Sequence, residues 1–209
     1  MHTEELFPTT VACFDYPKHK SIKSLLLDLI RNATLDEINS KECSIHLFEK
    51  SGDFLYKDQF KDLHNFFIES AKEYLLKISR LHVTPFISLA WINCANQGFK
   101  LERHNHGNSY LSGTYYLNFD PSVHAHLEFY KSVLGQRNQY FDISPFDYNR
   151  YNAKSASFLN VKEGNFLLWP SYLEHGFEKN LSDNRITISM NFLPEYFDNG
   201  DYKFKISKL

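Results

Sequence analysis

Tyr110-Leu111-Ser112-Gly113-Thr114-Tyr115-Tyr116-Leu117-Asn118-Phe119 is an aromatic run with almost no charge, entered directly from Arg103-His104-Asn105-His106-Gly107. Aromatic and β-branched residues suit a pleated, packed surface, so the run reads as a strand. Outward from it the same texture recurs. Ile87 to Asn93, His124 to Tyr130, Ser157 to Val161, Asn165 to Trp169 and Ile186 to Phe192 are short apolar or aromatic runs, punctuated by Gly, Asn, Asp and Pro. That punctuation marks an antiparallel all-β unit. About eight such strands fit a double-sheet jelly roll, also called a double-stranded β-helix. Gly135 to Ala156, rich in Tyr, Asn and Asp, reads as a long insertion over one end of the sheet, the kind of loop that often binds or covers a ligand.

Toward the N-terminus the period changes. After an extended entry through Val11-Ala12-Cys13-Phe14, the first eighty residues read as helical. Leu25, Leu26, Leu29 and Ile30 recur at helical spacing. A second helix is expected from Asp58 to Ser79, with Phe60, Leu63, Phe67, Tyr74, Leu75 and Ile78 as its apolar stripe. Both stripes read as core-facing. The expected architecture is mostly β with N-terminal helices, a jelly-roll core with supporting helices. It forms one domain over 1–209, with 1–83 as helical support and 84–209 as the catalytic core.

Composition bounds the class. The 209 residues are 43% apolar and 23% charged, ordinary for a globular chain with a real core. A net charge of −2 leaves no overall basic footprint for nucleic acid. Cys13, Cys43 and Cys94 are odd in number, with no Cys-x-x-Cys. Such cysteines point to a reducing, cytoplasmic compartment. Met1-His2-Thr3-Glu4-Glu5 lacks the features of a secretory signal. No stretch approaches the ~20 apolar residues of a membrane span. Oligomeric state is not readable.

The chemistry sits in the second half. His104 and His106 are two apart, so on an extended chain both imidazoles project from one face and can reach one metal. His175 follows Gly164 to Ser171 at a strand end, and ten residues later Arg185 opens the strand Ile186 to Phe192. Singly these are weak signals, since a lone histidine is usually a satisfied polar residue. Neighbouring jelly-roll strands can bring all four around one cavity. The string His104-Asn105-His106 is not the nuclease motif of similar lettering, which describes dispersed residues of a ββα unit.

Residues 86–192 resemble the 2-oxoglutarate- and Fe(II)-dependent dioxygenases of the prolyl-hydroxylase-like group, and within it a small branch found in marine bacteria and phages. Trp91-x-Asn93, the His104-x-His106 pair, Ser112-Gly113 leading into Tyr115-Tyr116-Leu117-Asn118, Gly164 to His175 and Arg185 to Asn191 carry the resemblance. It implies Fe(II) held by His104 and His175, and 2-oxoglutarate held through its distal carboxylate by Arg185 and Tyr116. A planar guanidinium suits bidentate carboxylate recognition, and a buried phenol adds a second donor. Asn93, Ser189 and Asn191 are further candidates to line the cofactor cavity, with Thr187 placed on the opposite face. The expected reaction is hydroxylation of a small-molecule or peptidyl substrate, with succinate and CO₂ formed.

One position departs from the usual two-histidine, one-carboxylate triad: the residue two after the first histidine is His106. Three readings stay open. His106 is the third ligand; or Glu128 or Asp120 supplies a carboxylate; or three histidines serve thiol-dioxygenase-like chemistry with no cosubstrate, which leaves Arg185 without a purpose. A different class is a cupin-like jelly roll that binds a metal or small ligand without oxidative activity.

Overall fold

The computed structural model describes residues 2, 8–49, 53–131, 155–158, 160–198 and 200–206. Most of the expected 135–156 insertion lies outside them. Strands dominate, and every pairing is antiparallel.

In chain order the regular elements are β1 (Ala12–Asp15), α1 (His19–Arg31), β2 (Ile38–Lys41), β3 (Ser44–Leu47), α2 (Lys61–Lys77), β4 (Pro85–Ala95), β5 (Leu101–His104) and β6 (Leu111–Asn118). They continue with β7 (Glu128–Tyr130), β8 (Ser155–Ser157), β9 (Asn165–Pro170), β10 (His175–Phe177), β11 (Arg185–Pro194), β12 (Tyr196–Asp198) and β13 (Lys203–Lys205). A seven-stranded sheet runs β1-β9-β6-β11-β4-β3-β2, and a four-stranded sheet runs β5-β10-β7-β8.

Alternation along the central strands explains the two layers. On β11, Ile186, Ile188, Met190 and Phe192 join a core with Leu26 of α1 and Leu63, Phe67, Ala71 and Leu75 of α2. On β6 and β9, Leu111, Tyr115, Leu117, Phe166 and Leu168 face that same helical side. The intervening residues Tyr116, Leu167 and Trp169 instead pack against Phe129 and Phe177 of the smaller sheet. Covered on both faces, β6 and β9 carry long unbroken buried runs, as strands sealed on both sides do. Gly113 is required at this crowding: a Cβ there would lie 2.4 Å from Cε2 of Phe166.

Two expectations need correction. Beyond the expected extended entry, which forms β1, the first eighty residues supply two further strands. β1 pairs with β9, and the hairpin β2–β3 pairs with β4. Each hairpin strand spans four residues, too few to show a period, and its turn places Cys43 at φ 58°, a conformation normally signalled by Gly or Asn. The runs expected at His124–Tyr130 and Ser157–Val161 contract to β7 and shift to β8. Around 124–125 the backbone bonds go elsewhere: His124 N–H donates to the Asp120 carbonyl and Ala125 N–H to Asn180 Oδ1. A chain satisfied by turns and side chains does not need a ladder.

Candidate metal and cosubstrate site

β5 and β10 pair so that His104 stands directly opposite His175, and two residues on the chain returns with His106. The backbone N–H of His106 donates to the Ser171 carbonyl at 3.0 Å, which ties its loop to the segment ahead of β10. One nitrogen from each of the three rings falls within 4.8 Å of the others. Nε2 of His106 and Nε2 of His175 are 3.3 Å apart. Gly176 sets this pairing, because a Cβ there would come 2.6 Å from the Leu101 carbonyl oxygen.

Second partners orient the rings. Nδ1 of His104 lies 2.7 Å from the Glu102 carbonyl, and Nδ1 of His175 lies 3.0 Å from the Leu173 carbonyl. A carbonyl accepts only N–H, so in both rings Nδ1 carries the proton and Nε2 offers a lone pair. Burial pushes the His175 imidazole down to about 3, and burial followed by the neighbouring His104 pushes His106 down to about 4. Both rings are therefore neutral at pH 7, the state a metal requires.

Nδ1 of His106 meets the carboxamide of Asn191 at 3.4 Å. Ser112 Oγ donates to Asn191 Oδ1 at 3.0 Å and lies 2.8 Å from Ser171 Oγ. Ser112, Ser171 and Asn191 are all buried. A carboxamide presents a donor and an acceptor and can serve either state of the ring. As placed, Asn191 Nδ2 faces His106 Nδ1. When Nε2 binds a metal and Nδ1 carries the proton, the carboxamide turns over so that its oxygen accepts from Nδ1 and its Nδ2 donates to Ser112 Oγ. Asn191 thus supports His106 and is not among the residues lining the cavity. Its serine network has no signature along the chain, since Ser112, Ser171 and Asn191 come from three separate segments.

The three histidines share a cavity of about 160 Å³ with Arg185, Thr187, Ser189 and Asn93. Thr187 is on the same face as Arg185 and Ser189, as a two-residue period demands, and not on the opposite one. Asn93 and Ser189 satisfy each other: Trp91 Nε1 donates to Asn93 Oδ1 at 3.0 Å, and Asn93 Nδ2 donates to Ser189 Oγ at 2.9 Å. Arg185 is 2% exposed. Its Nε donates to the Ala125 carbonyl at 2.9 Å, and the guanidinium carbon lies 4.4 Å from the Phe177 ring centre. Among the described residues no carboxylate pairs with it. Tyr116 packs behind it, its ring centre 5.6 Å from the guanidinium carbon. Its buried hydroxyl oxygen faces the donors of Arg185 and the Leu127 backbone, and its proton has no acceptor among the described residues. Burial pushes that phenol up to about 12 against the pull of Arg185, so it remains a donor.

Neither alternative carboxylate joins the cluster. Glu128 accepts from the Tyr130 hydroxyl at 2.9 Å, and exposed Asp120 accepts from Ser122 Oγ at 2.6 Å. Among the described residues the metal-capable group is His104, His106 and His175.

Residues 89–191, from within β4 to within β11, match a family described as "Putative 2OG-Fe(II) oxygenase". This core belongs to the 2OG-Fe(II) oxygenase family. No curated protein sequence matches the chain. Solved structures of the same fold include a prolyl-4-hydroxylase of Pseudomonas putida, 10% identical, covering 88% of this chain and 92% of that one with a TM-score of 0.56. The α-ketoglutarate-dependent epimerase SnoN of nogalamycin biosynthesis is 9% identical, with coverage of 90% and 79% and a TM-score of 0.64. HygX of Streptomyces hygroscopicus, solved with nickel, 2-oxoglutarate and hygromycin B, is 12% identical, with coverage of 90% and 84% and a TM-score of 0.56. At such identities the likeness establishes the jelly-roll fold of the oxygenase and not its substrate. No helix among the described residues is long and apolar enough to cross a membrane.

Proposed function

We propose that the protein is an Fe(II)- and 2-oxoglutarate-dependent hydroxylase, cytoplasmic, acting on a small-molecule or peptidyl substrate. The observation that carries this reading is Arg185: a buried guanidinium with no carboxylate partner among the described residues, in one cavity with three converging imidazoles. An unpaired buried charge is costly, and a dicarboxylate bridging the histidines and Arg185 would remove that cost.

His104, His106 and His175 would hold the metal through Nε2. Three neutral ligands leave its charge uncompensated, which favours a dianionic cosubstrate. Arg185 would take the distal carboxylate through donors not used by Ala125, and Tyr116 has a hydroxyl that lacks an acceptor until that carboxylate arrives. Trp91, Leu127, Trp169 and Phe177 supply apolar walls. When bound, iron and 2-oxoglutarate supply the oxidising chemistry, with succinate and CO₂ as coproducts. The protein contributes ligation, orientation and a shielded pocket.

Anaerobic addition of 2-oxoglutarate to the Fe(II) protein should produce a new visible absorption band, and admission of O₂ should release succinate. Iron binding with neither response would favour a jelly-roll binding protein without oxidative activity.

A further inference from the structure

The β2–β3 hairpin widens the floor of the pocket beyond β4, and its inward face carries polar groups unused by the metal ligands or Arg185. Register sets Ser44 beside Ala95 and His46 beside Asn93, and those two beside Arg185 and Thr187. Strands are about 4.8 Å apart, so Ser44 stands roughly 10 Å across the floor from Arg185. Ser44, His46 and Glu49 nevertheless line the same cavity as the three histidines and Arg185. The lining therefore extends across β4 onto β3, and these three residues bound that part of the cavity, its arm.

Their hydrogen bonding is incomplete in one direction only. Ser44 is 3% exposed and its Oγ has no partner among the described residues. Glu49 accepts at both oxygens, from Asn39 Nδ2 at 2.7 Å and at 2.6 Å from Nδ1 of His46. Burial opposes the charge on Glu49, but the bonds from Asn39 and His46 hold its carboxyl below the usual range. In the neutral imidazole, a carboxylate there fixes the proton of His46 on Nδ1 and leaves Nε2 as an acceptor. Among the described residues Nε2 has no protein partner. The arm therefore offers one unused donor-acceptor hydroxyl and one unused lone pair, two residues apart on one strand face.

We propose that Ser44, His46 and Glu49 form the substrate-recognition arm of this pocket and receive an uncharged hydroxyl group of the substrate. The substrate O–H donates to His46 Nε2, and its oxygen accepts from Ser44. Glu49 positions His46 and does not touch the substrate. A carboxylate brings no donor for His46 and is repelled by Glu49. An ammonium is attracted by Glu49 and can donate to His46, but it brings no acceptor for the buried Ser44 proton. An alcohol satisfies both. Naming the occupant a substrate rests on the oxygenase reading; the headgroup preference does not.

The test uses zinc-loaded protein saturated with 2-oxoglutarate, so that the metal and Arg185 are already occupied; zinc binds through the same ligand types without redox turnover. Cyclohexanol, cyclohexylamine and cyclohexanecarboxylate, equal in ring and different in headgroup, are titrated and followed by ligand-observed NMR. The alcohol should bind tightest, about tenfold better than the acid. Ser44→Ala should cost the alcohol about fivefold, the scale of one net hydrogen bond. His46→Ala should level the three probes, and His46→Gln, which keeps an acceptor, should restore part of the alcohol preference, with circular dichroism confirming that each variant is folded. Preference for the acid or the amine, equal affinities, absence of binding by all three, or an unchanged ranking in His46→Ala overturns the proposal. Failure of 2-oxoglutarate to bind the parent would instead remove the oxygenase reading, and the losses of alcohol affinity in Ser44→Ala and His46→Ala would then decide this one.

Discussion

Replacing Arg185 with methionine should separate stability from cosubstrate binding. The guanidinium sits among Phe177, Tyr116 and Phe119 at 4.4, 5.6 and 5.7 Å from their ring centres, and burial pulls its pKa below the usual range against the influence of Tyr116. Methionine fills much of that space without charge. Removing a buried charge gains about 1–4 kcal/mol, while the Ala125 carbonyl, deprived of its donor, costs about 1–3 kcal/mol. The two nearly cancel, with a net change between about 2 kcal/mol of destabilisation and about 3 kcal/mol of stabilisation, so the ligand-free variant should melt between about 8 °C below and about 12 °C above the parent. Binding of 2-oxoglutarate does not share this cancellation. Two charge-assisted hydrogen bonds of about 1.5–3 kcal/mol each are lost, and water with the Tyr116 hydroxyl recovers part. A loss of about 3 kcal/mol remains, roughly a hundredfold in Kd. Calorimetric titration of 2-oxoglutarate into anaerobic Fe(II) protein, with thermal melting of the metal-free forms, measures both. Undiminished 2-oxoglutarate affinity, or a fall in melting temperature of more than about 8 °C, refutes the reasoning.

Four further outcomes are expected. His104→Ala and His175→Ala should each lose stoichiometric Fe(II), read by metal analysis after dialysis, because an incomplete ligand set remains. Asn191→Leu, which leaves every ligand in place but strips the acceptor from His106, should weaken metal binding ten- to hundredfold in a competition titration. Gly176→Ala should also weaken the metal without touching a ligand, since its Cβ would sit 2.6 Å from the Leu101 carbonyl oxygen and push β10 off β5; denaturant unfolding should show a cost of about 1–3 kcal/mol. Acidification should destabilise the metal-free protein. With His175 at about 3 and His106 at about 4 in the fold, the unfolded chain takes up protons first, near pH 6.5. Stability is therefore full above about pH 7 and falls as pH drops through 6.5 toward the folded values. Melting temperatures at pH 7, 6 and 5 check this, and a flat profile would contradict it.

Sequence alone determined the features that near neighbours control. The alternation of Ile186, Ile188, Met190 and Phe192 with Arg185, Thr187, Ser189 and Asn191 is a local two-residue period, so β11 and its two faces are readable. His104 and His106 are close enough on the chain for their shared reach to be inferred, and α1 and α2 declare themselves by apolar stripes. The four-residue strands of the β2–β3 hairpin show no such period, and the turn at Cys43 carries no glycine or asparagine. Tertiary structure decided what depends on register between distant strands. His175 becomes a partner of His104 only through the β5–β10 pairing. Asn191 supports His106, and does not line the pocket, because Ser112 and Ser171 from other segments hold its carboxamide there. Ser44 and His46 reach the cavity because β3 adds to the edge of β4. Side-chain periodicity within a strand is dictated by its own backbone, but which strands become neighbours is settled by burying whole faces at once. That choice placed Arg185, the three histidines and the hairpin's polar arm around one cavity.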